Sequence, residues 1–244
     1  VRHYDISSPP DPAYPEGRDV LRTCYRIVPV LDGPWAGDVW FGCNHGVAMW
    51  TERYGVVQEH QHTAIWRDGT DRTGDFRGLV VAEDGNVWIA GAHRGGLLRY
   101  ADEDGQFWAR IDPEIDVWPP EVAKDPLGDD WTMVAIGDSA GGVWFGGFGN
   151  GLAHLDADGH WSWLQSEQGL PDDRVYDLAL DPDGSLWIAT DAGVVRLRDG
   201  AFTTRLDSLA GLPGTPLALE VDAAADPRRL VIGTSAGVGI YDGP

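Results

Sequence analysis

The chain has 244 residues and a formal net charge of −21, with 18 Lys and Arg against 39 Asp and Glu. An acidic surface of this kind excludes a general phosphate-tracking nucleic-acid interface, which needs clustered Lys and Arg, and accommodates cationic ligands, metals or basic peptides more easily. No apolar run approaches the roughly 18 residues of a membrane-spanning helix, so no membrane insertion is expected, and two cysteines do not make a disulfide framework.

With 33 Gly, 16 Pro and 12 Trp, short apolar runs are broken about every ten residues by Asp-Gly or Asn-Gly pairs, which predicts many short strands joined by tight turns. Residues 1–7, VRHYDIS, form the first predicted strand. Five related segments follow: DVWFGCNHGVAMW from Asp38, NVWIAGAHRGGLLRY from Asn86, GVWFGGFGNGLAHL from Gly142, SLWIATDAGVVRL from Ser185 and RLVIGTSAGVGIY from Arg229. Their anchors, Trp40, Trp88, Trp144, Trp187 and Val231, stand 48, 56, 43 and 44 residues apart, a period of propeller blades or solenoids.

Each unit reads as an alternating strand ending in a turn, the tryptophan strand, a turn at Gly46, Gly95, Gly151, Gly193 or Gly237, a third strand, and a fourth such as HWSWLQ from His160. Four antiparallel strands per unit predict an all-β, five-bladed β-propeller in a single domain, 1–244. The blades fall at about 20–64, 76–113, 131–166, 174–208 and 215–244 plus 1–7. The last copy stops after three strands, while residues 1–7 resemble the fourth strands FWARID from Phe107 and FTTRLD from Phe202. The N-terminal strand is therefore expected to complete the last blade and close the ring, which removes an exposed sheet edge. The recurring tryptophans are assigned to packing between blades. DEDG at Asp102, DADG at Asp156 and DPDG at Asp181 are assigned to hairpin turns, since none continues as a calcium loop.

The sequence DPDGSLWIATDAGVVRL, the later GLPGT and the segment WLQSEQGLPDDRV resemble the two-component regulator propeller repeat, which occurs in extracytoplasmic sensor regions of bacterial receptors. DGNVW at Asp84 to Trp88 is more weakly similar to streptogramin-lyase propeller repeats. The first resemblance implies a sensor-type propeller and an extracytoplasmic location.

In a propeller, the connections between blades and the turns between second and third strands open on one face, where ligand sites gather. Two long connections, 58–78 and 112–131, belong to that face. His45 and His93 occupy matching turns of the first two repeats, and His60 and His62 end the first repeat. Two residues apart on a strand, His60 and His62 face one side and could ligate a divalent or transition metal with His45 and Cys43. Without a metal, His45 and His93 could act as acid and base. Arg77 and Arg94 could hold a carboxylate or phosphate, or merely balance the acidic surface. Trp66, Trp118, Trp131 and Phe76 could line an apolar pocket, and Asp191 stands in the turn matching His45. Cys24 and Cys43 fall on neighbouring strands, as buried free thiols or, alternatively, a disulfide or a metal contact of Cys43.

The function expected first is a propeller that binds a small molecule or peptide at the mouth near the first two blades, in a chain for which a monomer suffices. The alternative is a lyase or hydrolase, metal-dependent or not, that uses the histidine cluster at the same mouth.

Overall fold

A computed structural model describes residues 24–31, 36–43, 46–52, 55–60, 76–82, 87–91, 96–103, 106–111, 117–119, 121–122 and 131–243. They divide between two compact units, Val1–Val117 and Trp118–Pro244.

The first unit holds two antiparallel sheets. One contains β1 (Cys24–Pro29), β2 (Val39–Cys43), β3 (Gly46–Thr51) and β4 (Gly55–His60), and the other β5 (Phe76–Val81), β6 (Val87–Gly91), β7 (Gly96–Glu103) and β8 (Gln106–Ile111). The second unit holds three. Its four-stranded sheets contain β9 (Thr132–Gly137), β10 (Val143–Gly147), β11 (Gly151–Leu155) and β12 (Trp161–Leu164), then β13 (Val175–Leu180), β14 (Leu186–Thr190), β15 (Gly193–Arg198) and β16 (Ala201–Leu206). The fifth sheet has three described strands, β17 (Pro216–Asp222), β18 (Arg229–Thr234) and β19 (Gly237–Asp242). Every sheet is ordered as an up-and-down meander, the unit of a propeller blade.

The sequence explains the layering. Tryptophan strands such as LWIAT in β14 and VWIAG in β6 are buried at every position, because an inner strand of stacked sheets is covered on both faces. The outermost AFTTRL of β16 alternates exposed and half-buried residues, as a strand with one wet face must. Cores lie between successive sheets of a unit. Trp40, Val47 and Met49 meet Leu79, Val87 and Ile89. Val134 and Leu152 join Leu178, Leu186 and Ile188 in one cluster, and Trp187 and Val194 join Leu219, Leu230 and Ile232 in another. The packing role expected of Trp40 and Trp187 is thus met, and Trp144 packs against the second of these clusters.

At one end of the second unit, the expected turns at Asp156 and Asp181 join β11 to β12 and β13 to β14. The end of each tryptophan strand is tied to such a turn. Trp187 and Arg196 are cross-strand partners, with the guanidinium 5.1 Å above the indole. The buried Arg196 donates to Ser185 Oγ at 2.7 Å and Asp183 Oδ2 at 2.7 Å. The neighbouring sheet repeats the plan with an imidazole: His154 is the cross-strand partner of Trp144, stacks on it with centroids 3.9 Å apart, and has Nε2 2.7 Å from Asp138 Oδ2. Burial works against ionisation of Asp138, but His154 and the N–H groups of Gly142 and Ala140 outweigh it and hold its carboxyl below the usual range.

One expectation is corrected in the first sheet. Cys24 and Cys43 form a disulfide across β1 and β2, where they are register partners, and are not free thiols. Neighbouring positions on paired strands bring the two sulfurs within bonding reach. With its sulfur in that bond, Cys43 offers no thiolate to a metal.

Candidate ligand-binding end of the sheets

A second regularity lies at the opposite end, where the turns between second and third strands are found. In each of the five described sheets the first strand carries a bulge against the second, and the register steps past one residue: Tyr25, Arg77, Met133, Tyr176 and Leu217. A bulge re-aims the side chain it releases and is common beside functional sites. Tyr25 is 43% exposed and Leu217 is 46% exposed, although both are large and apolar in body. Within the first unit the Arg77 guanidinium lies 5.0 Å from the Tyr25 ring centroid, so two successive bulge residues touch.

In the second unit this end is built from three segments. The turn Phe148–Asn150 between β10 and β11 is strapped to the β12–β13 connection by Gly149 N and Gly151 N, which both donate to Asp173 O, at 3.0 and 2.8 Å, and by a bridge between Phe148 and Arg174. Phe148 N donates to Trp131 O at 2.7 Å. Asp191, in the β14–β15 turn, donates its N–H to Arg174 O at 3.2 Å. The Asp173 carboxylate accepts from Ser166 N and Oγ, and Asp172 Oδ1 accepts from Arg174 N, so both acids brace the connection.

Four side chains converge on this frame. Phe148 is 41% exposed and meets the Tyr176 ring edge-on, with centroids 5.8 Å apart. Arg174 lies 5.5 Å from the Phe148 centroid, and its Nη1 stands 3.3 Å from Asp191 Oδ2. The Tyr176 hydroxyl donates to Asp191 Oδ1 at 3.0 Å. Burial, then the bond to Asp191 and its charge, raise the Tyr176 phenol above its ordinary range, so it remains a donor at neutral pH. An exposed ring, a cation, a carboxylate and a hydroxyl set on braced backbone can bind a polar ligand with a flat face.

Of the residues singled out in the sequence, Asp191 belongs to this cluster and Trp131 supplies a backbone acceptor to it. Trp118 is fully buried and donates from Nε1 to Thr132 Oγ1 at 2.8 Å, so its indole packs inside the unit and presents no wall to solvent. Arg77 is at the matching end of the first unit, on the bulge of β5. His60 is the last residue of β4, opposite Gly46, which places its backbone beside the β2–β3 turn. His45, His62, His93, Arg94 and Trp66 lie outside the described residues, as do residues 1–7, on which the expected closing strand falls.

Phe148, Arg174 and Tyr176 were missed because nothing in the repeat marks them. Phe148 and Arg174 are 26 positions apart, and the bulge that releases Tyr176 leaves the alternating pattern of VYDLAL unchanged to the eye. The available signal was positional: Phe148 fills the same turn as Asp191 and His45.

Comparison with known proteins agrees with this architecture. The family model described as two component regulator propeller matches residues 169–192, the β12–β13 connection through the Asp191 turn. No curated protein matches in sequence. Among solved structures, the chain is similar to the extracellular domain assigned to a hybrid two component system of B. thetaiotaomicron, at 17% identity and a TM-score of 0.62 over 92% of this chain and 27% of that one. It is similar to PorZ, a surface component of the type-IX secretion system of Porphyromonas gingivalis, at 15% identity and a TM-score of 0.62 over 99% of this chain and 34% of that one. A catalytically inactive virginiamycin B lyase from Staphylococcus aureus, solved with quinupristin, has 14% identity and a TM-score of 0.54 over 91% of this chain and 70% of that one. The chain spans about a quarter to a third of the length of the first two. At these identities the likeness is one of fold: an all-β chain of propeller-type four-stranded sheets.

Proposed function

We propose that the chain is a ligand-binding propeller of the extracytoplasmic sensor type, which holds a small molecule or peptide over the end where the bulges and the second turns lie. The observation that carries this reading is the repeated bulge: in each described sheet the register steps past one residue of the first strand, at the end of that sheet beside its second turn. The exposed Phe148, braced by three backbone hydrogen bonds around its turn, adds an aromatic surface that the core does not use.

The Cys24–Cys43 disulfide supports an oxidising compartment. The matched repeat and the extracellular domain of similar fold support the same location and a sensing role. We further propose that the five sheets belong to one ring, with residues 1–7 as the fourth strand of the last sheet. Support comes from the three described strands of that sheet and from the likeness of VRHYDIS to β8 and β16, both fourth strands.

The test is a screen of aromatic, amino-acid, peptide and glycoside fragments by saturation-transfer NMR on the wild type and on Phe148→Ser. Hits that vanish in the variant are expected. Hits that persist unchanged, or turnover of any hit, would remove the reading. Elemental analysis of the protein and of a His60→Ala, His62→Ala double variant tests the rival: stoichiometric metal lost in the variant would replace the binding module by a metal-dependent lyase or hydrolase.

A further inference from the structure

Two arginines of the second unit bond carboxylates in opposite ways. Arg196 is buried and reaches Asp183 at 2.7 Å, the distance of a strong charge-assisted bond. Arg174 has a side chain that is 54% exposed, and it reaches Asp191 with one nitrogen at 3.3 Å. Such an exposed, long ion pair contributes little to stability.

The backbone around Arg174 is fixed without its side chain. Its N–H is held by Asp172 and its carbonyl by Asp191 N, and its main chain bridges to Phe148. The side chain can therefore leave while the frame remains. What it would leave behind is complementary to a planar cation: the face of Phe148, both oxygens of Asp191, and the Tyr176 hydroxyl that orients that carboxylate. The net charge of −21 draws cations toward the surface as a whole. A guanidinium suits the corner better than an ammonium because it can lie on the ring and point N–H groups at the carboxylate at once.

Resting on the binding reading above, we infer that Phe148, Tyr176 and Asp191 form a guanidinium slot that Arg174 fills from within, and that an alkylguanidinium of a ligand exchanges with it. Arg174 is then an internal competitor, and removing it opens the slot. The guanidinium can come from a small molecule or from an arginine of a peptide, and the experiment separates the two.

Agmatine, cadaverine and the peptide acetyl-Gly-Arg-Gly-amide are titrated by NMR at fixed ionic strength into the wild type, Arg174→Ala and Arg174→Met. The same probes are titrated into Arg174→Ala combined with Asp191→Asn, with Phe148→Ala or with Asp199→Asn. Asp199 is in the turn between β15 and β16, away from the slot, and its side chain is 94% exposed. Thermal unfolding confirms that each variant is folded, and Arg174→Met keeps the apolar stem over Phe148. Agmatine or the peptide is expected to bind both Arg174 variants roughly tenfold more tightly than the wild type, the change of one exposed cation–aromatic and ion-pair contact. Tighter binding by agmatine assigns a small guanidinium, and a response to the peptide alone assigns an arginine side chain. The gain should vanish with Asp191→Asn or Phe148→Ala and survive Asp199→Asn. No binding of either probe to the Arg174 variants overturns the inference, as does equal binding of cadaverine or loss on Asp199→Asn. If fragment hits still depend on Phe148 in that case, the slot fails while the binding module stands.

Discussion

At the scale of the residue, the tryptophans do more than fill the core. Trp144 and Trp187 each carry a nitrogen-bearing side chain on the ring, His154 or Arg196, and that side chain is anchored to an aspartate of the preceding turn. Arg196→Met should remove about 3 kcal/mol of stability, because Asp181 and Asp183 lose a buried counter-charge; urea unfolding measures it. Asp183 supplies a pH test. Burial raises its pKa, but Ser185, Arg196 and Arg198 outweigh that and lower it from 3.8 to about 2. A depressed carboxylate stabilises the fold above its unfolded pKa and loses that contribution as pH falls through its folded pKa. Stability should therefore decline between pH 3.8 and about 2, and Asp183→Asn should flatten the decline by about 1 kcal/mol after solvent screening, read from acid unfolding curves. The sequence assigned these tryptophans to packing but hid their partners, since His154 and Arg196 differ in type and interrupt apolar strands as any polar residue would.

At the scale of the element, the glycine that opens the third strand is required by backbone in both β15 and β19, but by space in β15 alone. Gly193 has φ of +118°, and a Cβ there would stand 2.5 Å from Leu206 O. Gly237 holds the same place in the fifth sheet with φ of +145°, yet nothing lies within 4 Å of its Cβ position. Gly193→Ala should thus cost about 2 kcal/mol or more, and Gly237→Ala about 1; thermal unfolding of the two variants gives the order. Strand boundaries were legible because the alternating runs and Asp-Gly turns report local geometry. Gly193 and Gly237 both announce a turn in the same letters, but the crowding by Leu206 belongs to the paired strand. The disulfide was half legible for a related reason: adjacent strands made it one of the alternatives for Cys24 and Cys43, while the choice depends on a register that alternation does not fix.

At the scale of the whole molecule, the proposed ring rests on one strand. β19 is the last described strand of its sheet, and Val238 and Ile240 on it are 67% and 62% exposed. If residues 1–7 complete that sheet, deleting them should lower the unfolding midpoint by about 5 °C or more, as calorimetry would record. An unchanged midpoint would remove the closure. The repeat period made the blade architecture readable from five anchors alone. The candidate site was only half readable, because a cluster made from separate repeats depends on which turns converge, and of the singled-out residues Asp191 alone contributes a side chain to the described cluster.

The five bulges carry one more consequence. The register step keeps its place from sheet to sheet while the residue at it changes. Tyr, Arg, Met, Tyr and Leu already occupy the one position in turn. One backbone step in the described sheets thus accommodates aromatic, cationic and aliphatic side chains alike, so the shape of the frame does not dictate the chemistry it presents.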